Sequence, residues 1–157
     1  MDFEFKNVKQ YLNYLGNQLV NNYRTNLASN NVNATGKLGN TLSYEVVTGD
    51  GYYAVDLNIE DYWKYVEEGR AAGKFPPIDK IKDWIRIKPI VPNIKNGKLP
   101  NIDQLAYLIS RKIGTRGTQG KHILSNSIDE LDINKIEEAL TKDLNISADH
   151  LILIINE

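Results

Sequence analysis

Between residues 6 and 30, Val8, Leu12, Leu15, Leu19, Tyr23 and Leu27 follow one another at spacings of four, three, four, four and four. Apolar side chains at that interval share one side of the chain only in an α-helix, whose 3.6-residue turn returns to the same face every third or fourth position. The spacing therefore predicts a helix over about Lys6 to Asn30. At 1.5 Å per residue it reaches roughly 35 Å, longer than a small core needs, so it is expected to project toward a neighbour. Asn13, Asn17 and Asn21 fall on a second face, expected to be solvated. The whole chain has 157 residues, 41% hydrophobic and 25% charged, which is the composition of one soluble globular domain.

Behind this helix the pattern changes. Thr35 to Leu42 reads as a short turn or helix, and Ser43 to Thr48 and Tyr52 to Asn58 alternate around Gly49-Asp50-Gly51, a β-hairpin signal. Tyr62, Trp63, Tyr65 and Val66 are β-prone and suggest a third strand. Pro76-Pro77 opens a helix with Ile78, Ile81, Trp84 and Ile85 on one stripe, Asp79 in its first turn, Arg86 and Lys88 in its last, and Pro89 as its stop. Asn96-Gly97 marks a tight turn in the loop that follows. Asn101 caps a helix expected to hold Leu105, Ala106, Leu108, Ile109 and Ile113 inside and to end at Gly114. Residues 114–120 read as a flexible basic loop. Asp132 or Asn134 starts a last helix with Ile133, Ile136, Leu140 and Leu144 on one face, and Leu151 to Ile155 reads as a buried strand. The order predicts an α+β fold: a long N-terminal helix and a small, mostly antiparallel sheet of about four strands, flanked by two to three further helices.

Several chemistries are excluded or disfavoured. The chain has no Cys, so disulfides, thiol nucleophiles and cysteine zinc sites are out. Leu151 to Ile155 is the longest apolar run, far below the roughly 18 residues that span a bilayer, and Met-Asp-Phe-Glu-Phe lacks the basic and apolar segments of a secretory leader. The expectation is a chain neither secreted nor in a membrane. His122, Ser125, Ser127 and Asp129 are neighbours in sequence, but no nucleophile-elbow signature surrounds the serines. His122 and His150 lack metal-ligand spacing. Glu67 and Glu68 are adjacent and, on a strand, would point to opposite faces, one to solvent and one to a cation. Gly114, Gly117 and Gly120 follow a helix rather than a strand, the wrong context for a phosphate cradle. About twelve residues separate the helices on either side of the Asn96-Gly97 loop, too many for a helix-turn-helix.

Charge is segregated along the chain. The total of 19 basic and 20 acidic side chains nearly cancels, yet residues 1–74 carry −2, 75–122 carry +7 and 123–157 carry −6. Such asymmetry bears on partners rather than fold. Arg111, Lys112, Arg116 and Lys121 form a basic cluster suited to phosphates or to acidic protein. Glu130, Asp132, Glu137 and Glu138 form its acidic counterpart.

The residues Tyr62-Trp63-Lys64-Tyr65-Val66-Glu67-Glu68-Gly69-Arg70, then Gly73-Lys74-Phe75-Pro76-Pro77-Ile78, then Trp84-Ile85 and Lys88, resemble the central signature of a family of tailed-phage tail-completion or neck proteins. Downstream, Leu105 to Ile113, Arg116-Gly117-Thr118 and His122-Ile123-Leu124 are similar to that family's run of an apolar helix, Arg-Lys-Ile, Gly-Thr and aromatic-Leu. Upstream, Thr35-Gly36-Lys37-Leu38 and Asn40-Thr41-Leu42 resemble its element after the first helix. Where the family often has Glu-Phe-Gly-Thr this chain has Glu67-Glu68-Gly69-Arg70, and Ile123 replaces a Phe.

The resemblance implies a structural virion protein without enzymatic activity or cofactor. It would assemble as a homo-oligomeric ring of six or twelve copies in the head-tail connector or neck, between portal or adaptor and tail proteins, formed in the host cytoplasm. The ring contact would join the basic cluster of one copy to the acidic cluster of the next, or the basic loop would face packaged DNA in the lumen. A small DNA-associated binding protein using residues 111–121 is the alternative. The expected division is a single domain over 1–157, with 1–128 as the family-like part and 129–157 as an acidic helix-and-strand extension. Tyr65, Trp84, Ile85 and Leu108 are expected in the core, so that Trp84→Ala unfolds the chain or blocks assembly. Gly69 and Pro76-Pro77 are expected to turn the backbone into the following helix.

Overall fold

Helix α1 (Lys6–Ser29) forms where the apolar stripe predicts it. Val8, Leu15, Leu19, Val20, Tyr23 and Leu27 are buried along it, and Gly16 is buried with them. In this computed structural model, which describes residues 4–32, 35–88, 90 and 99–155 (146–155 as backbone only), α1 is covered from end to end. A β-hairpin and two later helices lie along it. The expected projection toward a neighbour is therefore wrong: the helix is long because it is the axis on which the other elements pack. The Asn13 and Asn17 amides are exposed and donate to the carbonyls four residues back.

After α2 (Lys37–Thr41) come β1 (Ser43–Gly49) and β2 (Tyr52–Asn58), paired antiparallel from Ser43 opposite Asn58 to Gly49 opposite Tyr52. Gly51 turns the hairpin at φ +79°. Tyr44 lies on α1, its ring where a Cβ on Gly16 would sit and its hydroxyl donating to Asn13 O at 2.9 Å.

The expected third strand is instead one turn of helix, α3 (Trp63–Glu67). Trp63 and Val66 both pack on the core, and residues three apart share a face in a helix but not in a strand. β3 (Gly69–Arg70) follows, then α4 (Ile78–Ile87) and α5 (Ile102–Arg116), then β4 (Thr118–Gln119). β3 and β4 pair antiparallel, Gly69 opposite Gln119 and Arg70 opposite Thr118. The four strands thus form two separate two-stranded ladders and not one sheet. The expected Asn96-Gly97 turn lies outside the described residues.

The chain ends in α6 (Ile123–Asp129) and α7 (Ile136–Ile155). The strand expected at Leu151 to Ile155 is helical and continues α7. A run of five apolar residues satisfies either geometry, and here the preceding helix carries through it. The fold is α+β, with a long N-terminal helix and small antiparallel pairings.

The main core gathers Val20, Tyr23 and Leu27 of α1, Leu38, Leu42 and Ile123, with Tyr44, Ile59, Trp63, Val66 and Leu124 packed around them. Tyr23, Leu27 and Ile123 are almost wholly buried, and each contributes about 2 kcal/mol from apolar area removed from water. No described helix is long and apolar enough to cross a membrane.

Candidate functional site

The basic cluster is built by α5. Asn101 opens this helix with a capping box: its Oδ1 accepts from Gln104 N at 2.8 Å and Asn101 N donates to Gln104 Oε1 at 3.2 Å. The helix runs past Gly114 and stops at Gly117, φ +71°. Arg111, Lys112 and Arg116 are exposed on it and Lys121 is exposed beyond β4. The flexible loop expected over 114–120 is thus partly helix and partly ladder, tied by Gly73 N to Gly114 O (2.8 Å) and Lys121 N to Val66 O (2.8 Å). The three glycines serve close packing. A Cβ on Gly114 would meet the Phe75 ring at 2.8 Å, one on Gly117 the Arg70 carbonyl at 2.1 Å, and one on Gly120 the Glu67 carbonyl at 2.2 Å.

Only one of the four residues expected in the core is there. Ile85 is 9% exposed, whereas Trp84 is 36%, Leu108 52% and Tyr65 63% exposed. The reason lies in how α4 meets α5. The α5 face turned inward is Ala106, Ser110 and Gly114, small residues that admit a close approach, and the Ser110 hydroxyl donates to Pro76 O at 2.7 Å. Larger Leu108 is left outside. Pro77 is the N-cap of α4, Lys82 of α4 bridges to Asp103 of α5 at 2.5 Å, and Arg70 holds its place in β3. Gly69 has φ +81°, and a Cβ there would meet Thr118 O at 2.2 Å.

Glu67 and Asp143 are buried carboxylates with one task. Leu124 N and Ser125 N donate to Glu67 at 2.8 and 3.0 Å, and the Ser125 hydroxyl donates to it as well. Asn7 N and Nδ2 donate to Asp143 at 3.0 and 2.7 Å, and Val8 N at 2.9 Å. Each carboxylate thus takes the second and third amides of a helix remote in sequence, α6 for Glu67 and α1 for Asp143. Neither helix has a side-chain cap of its own, so the acid supplies the acceptor and the negative charge that a helix N-terminus favours. Burial pushes both pKa values up. The hydrogen bonds outweigh it, from Ser125 and Leu124 for Glu67 and from Asn7 and Val8 for Asp143, and both are held below the usual carboxylate range. The cation expected beside one of Glu67 and Glu68 is replaced by helix amides, and Glu68 is exposed. Nothing in the sequence pattern signals either cap, because the partners lie 57 and 136 residues apart.

The serines near His122 are committed to structure. The Ser125 hydroxyl is on Glu67, and that of Ser127 donates to Ile123 O at 2.6 Å while accepting from Asn26 Nδ2 at 3.0 Å.

The acidic residues are all exposed but do not form one cluster. Glu130 accepts from Asn26, Asp132 from Asn134, and Glu138 pairs with Lys142 at 2.8 Å. Glu137 lies elsewhere on α7, on the side of Leu140 and Leu144. Those two leucines, expected on one face with Ile133 and Ile136, are exposed, as is Ile133, and Ala139 and Asp143 are the buried positions of α7 among those whose side chains are described.

The basic cluster and the acidic residues of α7 stand at different ends of α1, whereas Glu130 lies at the α6 end against Asn26. α7 lies beside its start, where Asn7 and Val8 meet Asp143 and the Tyr11 hydroxyl donates to Asp132 O. α6 lies beside its end, where Asn22 and Asn26 meet Ser127. Through Glu67 and the β3–β4 ladder, α5 belongs to the α6 end. Compared with known protein families, curated proteins and solved structures, the chain matches none.

Proposed function

We propose that this chain is a structural virion protein of a tailed bacteriophage, which works by assembly and not by catalysis. It forms a ring of six or twelve copies in the head-tail connector, neck or tail-completion complex, in contact with portal or adaptor and tail proteins. The resemblance of residues 5–130 to that family suggests the role. The observation that carries it is physical: the exposed basic face lies on α5, which is joined to the α6 end of α1, while the exposed acidic residues of α7 lie beside the start of α1. Opposite charges at two ends of a subunit favour head-to-tail contacts, which close into rings when the rotation allows. Native mass spectrometry of the assembly purified from its natural source tests this. Six or twelve copies beside other virion proteins are expected, and a lone chain refutes the reading.

A second reading has its own observation. Tyr107 is exposed on the same helix as Arg111, Lys112 and Arg116, and Tyr65 is exposed next to Val66, whose carbonyl accepts from Lys121 N, and aromatics among cations suit nucleic acid without sequence selection. Binding to DNA that weakens steeply with salt, in a chain that takes no protein partner, favours it.

A further inference from the structure

We propose that two specific helix faces form the contact between copies: the outer face of α5 in one copy seats on the outer stripe of α7 in the next. The inference rests on the assembly reading above and names the surfaces it uses. On α5, Tyr107 and Leu108 are exposed, and each is followed four residues on by a cation, Arg111 and Lys112. Residues four apart are neighbours on a helix, so this face is an apolar patch with a positive border. No ion pair among the described residues engages either cation. On α7 and its approach, Ile133, Leu140 and Leu144 are exposed with Glu137 between them. Glu137, Leu140 and Leu144, at offsets of three and four, trace one stripe on α7, apolar with a negative member, and Ile133 is exposed in the segment that leads into the helix.

Leu140 also borders a groove of about 980 Å³ between the start of α1, the hairpin tip and α7. Phe5, Val8, Leu12, Tyr52 and Ile136 line it too, and Glu4 and Asp50 sit on its margin. The α7 side is therefore a groove with an apolar lining and acidic members, and the α5 face is apolar and basic. A second copy answers both surfaces at once, covering leucines on each side while pairing the charges. A phosphate backbone would satisfy the cations but leave Leu108 and the whole α7 stripe in water. Within one copy α5 packs on α4 and α7 packs on α1, so the two faces belong to different pairs of helices.

The chain has no Cys, so introduced cysteines report this contact without background. The full-length double variant Leu108→Cys with Leu140→Cys, oxidised at its assembly concentration, is expected to give covalent multimers, whereas each single variant stays a monomer on denaturing gels. Both positions are exposed, so folding is retained. As a second measure, the pair Arg111→Glu and Lys112→Glu, or Glu137→Lys alone, should weaken self-association about tenfold, and their combination should recover most of it. A native ring with no cross-link and no charge rescue overturns the contact and leaves the ring standing. A cross-linked species that closes at two copies supports the contact and refutes the ring. A wild-type chain that stays monomeric overturns both. Loss of duplex DNA binding in the α5 variants with self-association unchanged overturns the contact in favour of nucleic acid.

Discussion

A helix N-terminus presents amide groups with no partner inside the helix, and a residue just before it usually answers them. In this chain Asp143 does so for α1 and Glu67 for α6, each from another element. Removing Asp143 leaves buried amides unmatched, so Asp143→Ala should lower the unfolding free energy by about 2 kcal/mol, measured by urea denaturation. The same pair sets the response to acid. Both carboxylates titrate lower folded than unfolded, so the unfolded chain binds more protons in the interval between. Their contribution is complete above the ordinary carboxylate range, about pH 4 to 5, and is lost as pH falls through the folded values. Urea midpoints measured from pH 7 downward should fall there for the wild type, and less for Glu67→Gln combined with Asp143→Asn. An unchanged acid slope in that double variant would refute the assignment.

Among the elements, the end of α5 is where backbone geometry decides most. Gly117 combines a left-handed φ with an Arg70 carbonyl at 2.1 Å from where a Cβ would stand. Gly117→Ala should therefore cost at least about 1 to 2 kcal/mol and loosen the β3–β4 pairing. A thermal midpoint equal to wild type would show that the ladder tolerates the shift. The elements also show what could be read beforehand. The α1 stripe, the hairpin around Asp50-Gly51, the Pro77 start and the Asn101 cap were all legible, because each depends on residues within a turn or two of one another. The segments Tyr62 to Val66 and Leu151 to Ile155 were not, since short apolar runs fit strand or helix and tertiary contacts choose. Trp84 and Leu108 were misplaced for a related reason. Periodicity reports which residues share a face but not which face meets a partner, and small Ala106, Ser110 and Gly114 took the inner side of α5. Trp84→Ala is accordingly expected to leave the chain folded, contrary to the reading of Trp84 as core, and circular dichroism at 25 °C checks this.

For the molecule as a whole, the principal core lies between α1, α2, α3 and α6, while α4 and α5 pack on each other around Ile85 and Ala106. The β3–β4 ladder and the Gly73 bond to Gly114 tie this pair to the rest. Cooperative units with separate cores open separately. Hydrogen exchange in low denaturant should show α4 and α5 amides exchanging at lower free energy than those around Tyr23 and Leu27, and equal protection throughout would argue for a single unit. The bond from Asp143 to Asn7 and Val8 has a further consequence, for the order of events during synthesis. Chains emerge N-terminus first, yet the first turn of the first helix finds its acceptor only 136 residues later. Until Asp143 has left the ribosome, α1 has its apolar stripe but not its cap. A helix made early is thus completed late, and the fold around it can close only once the segment that carries Asp143 has been synthesised.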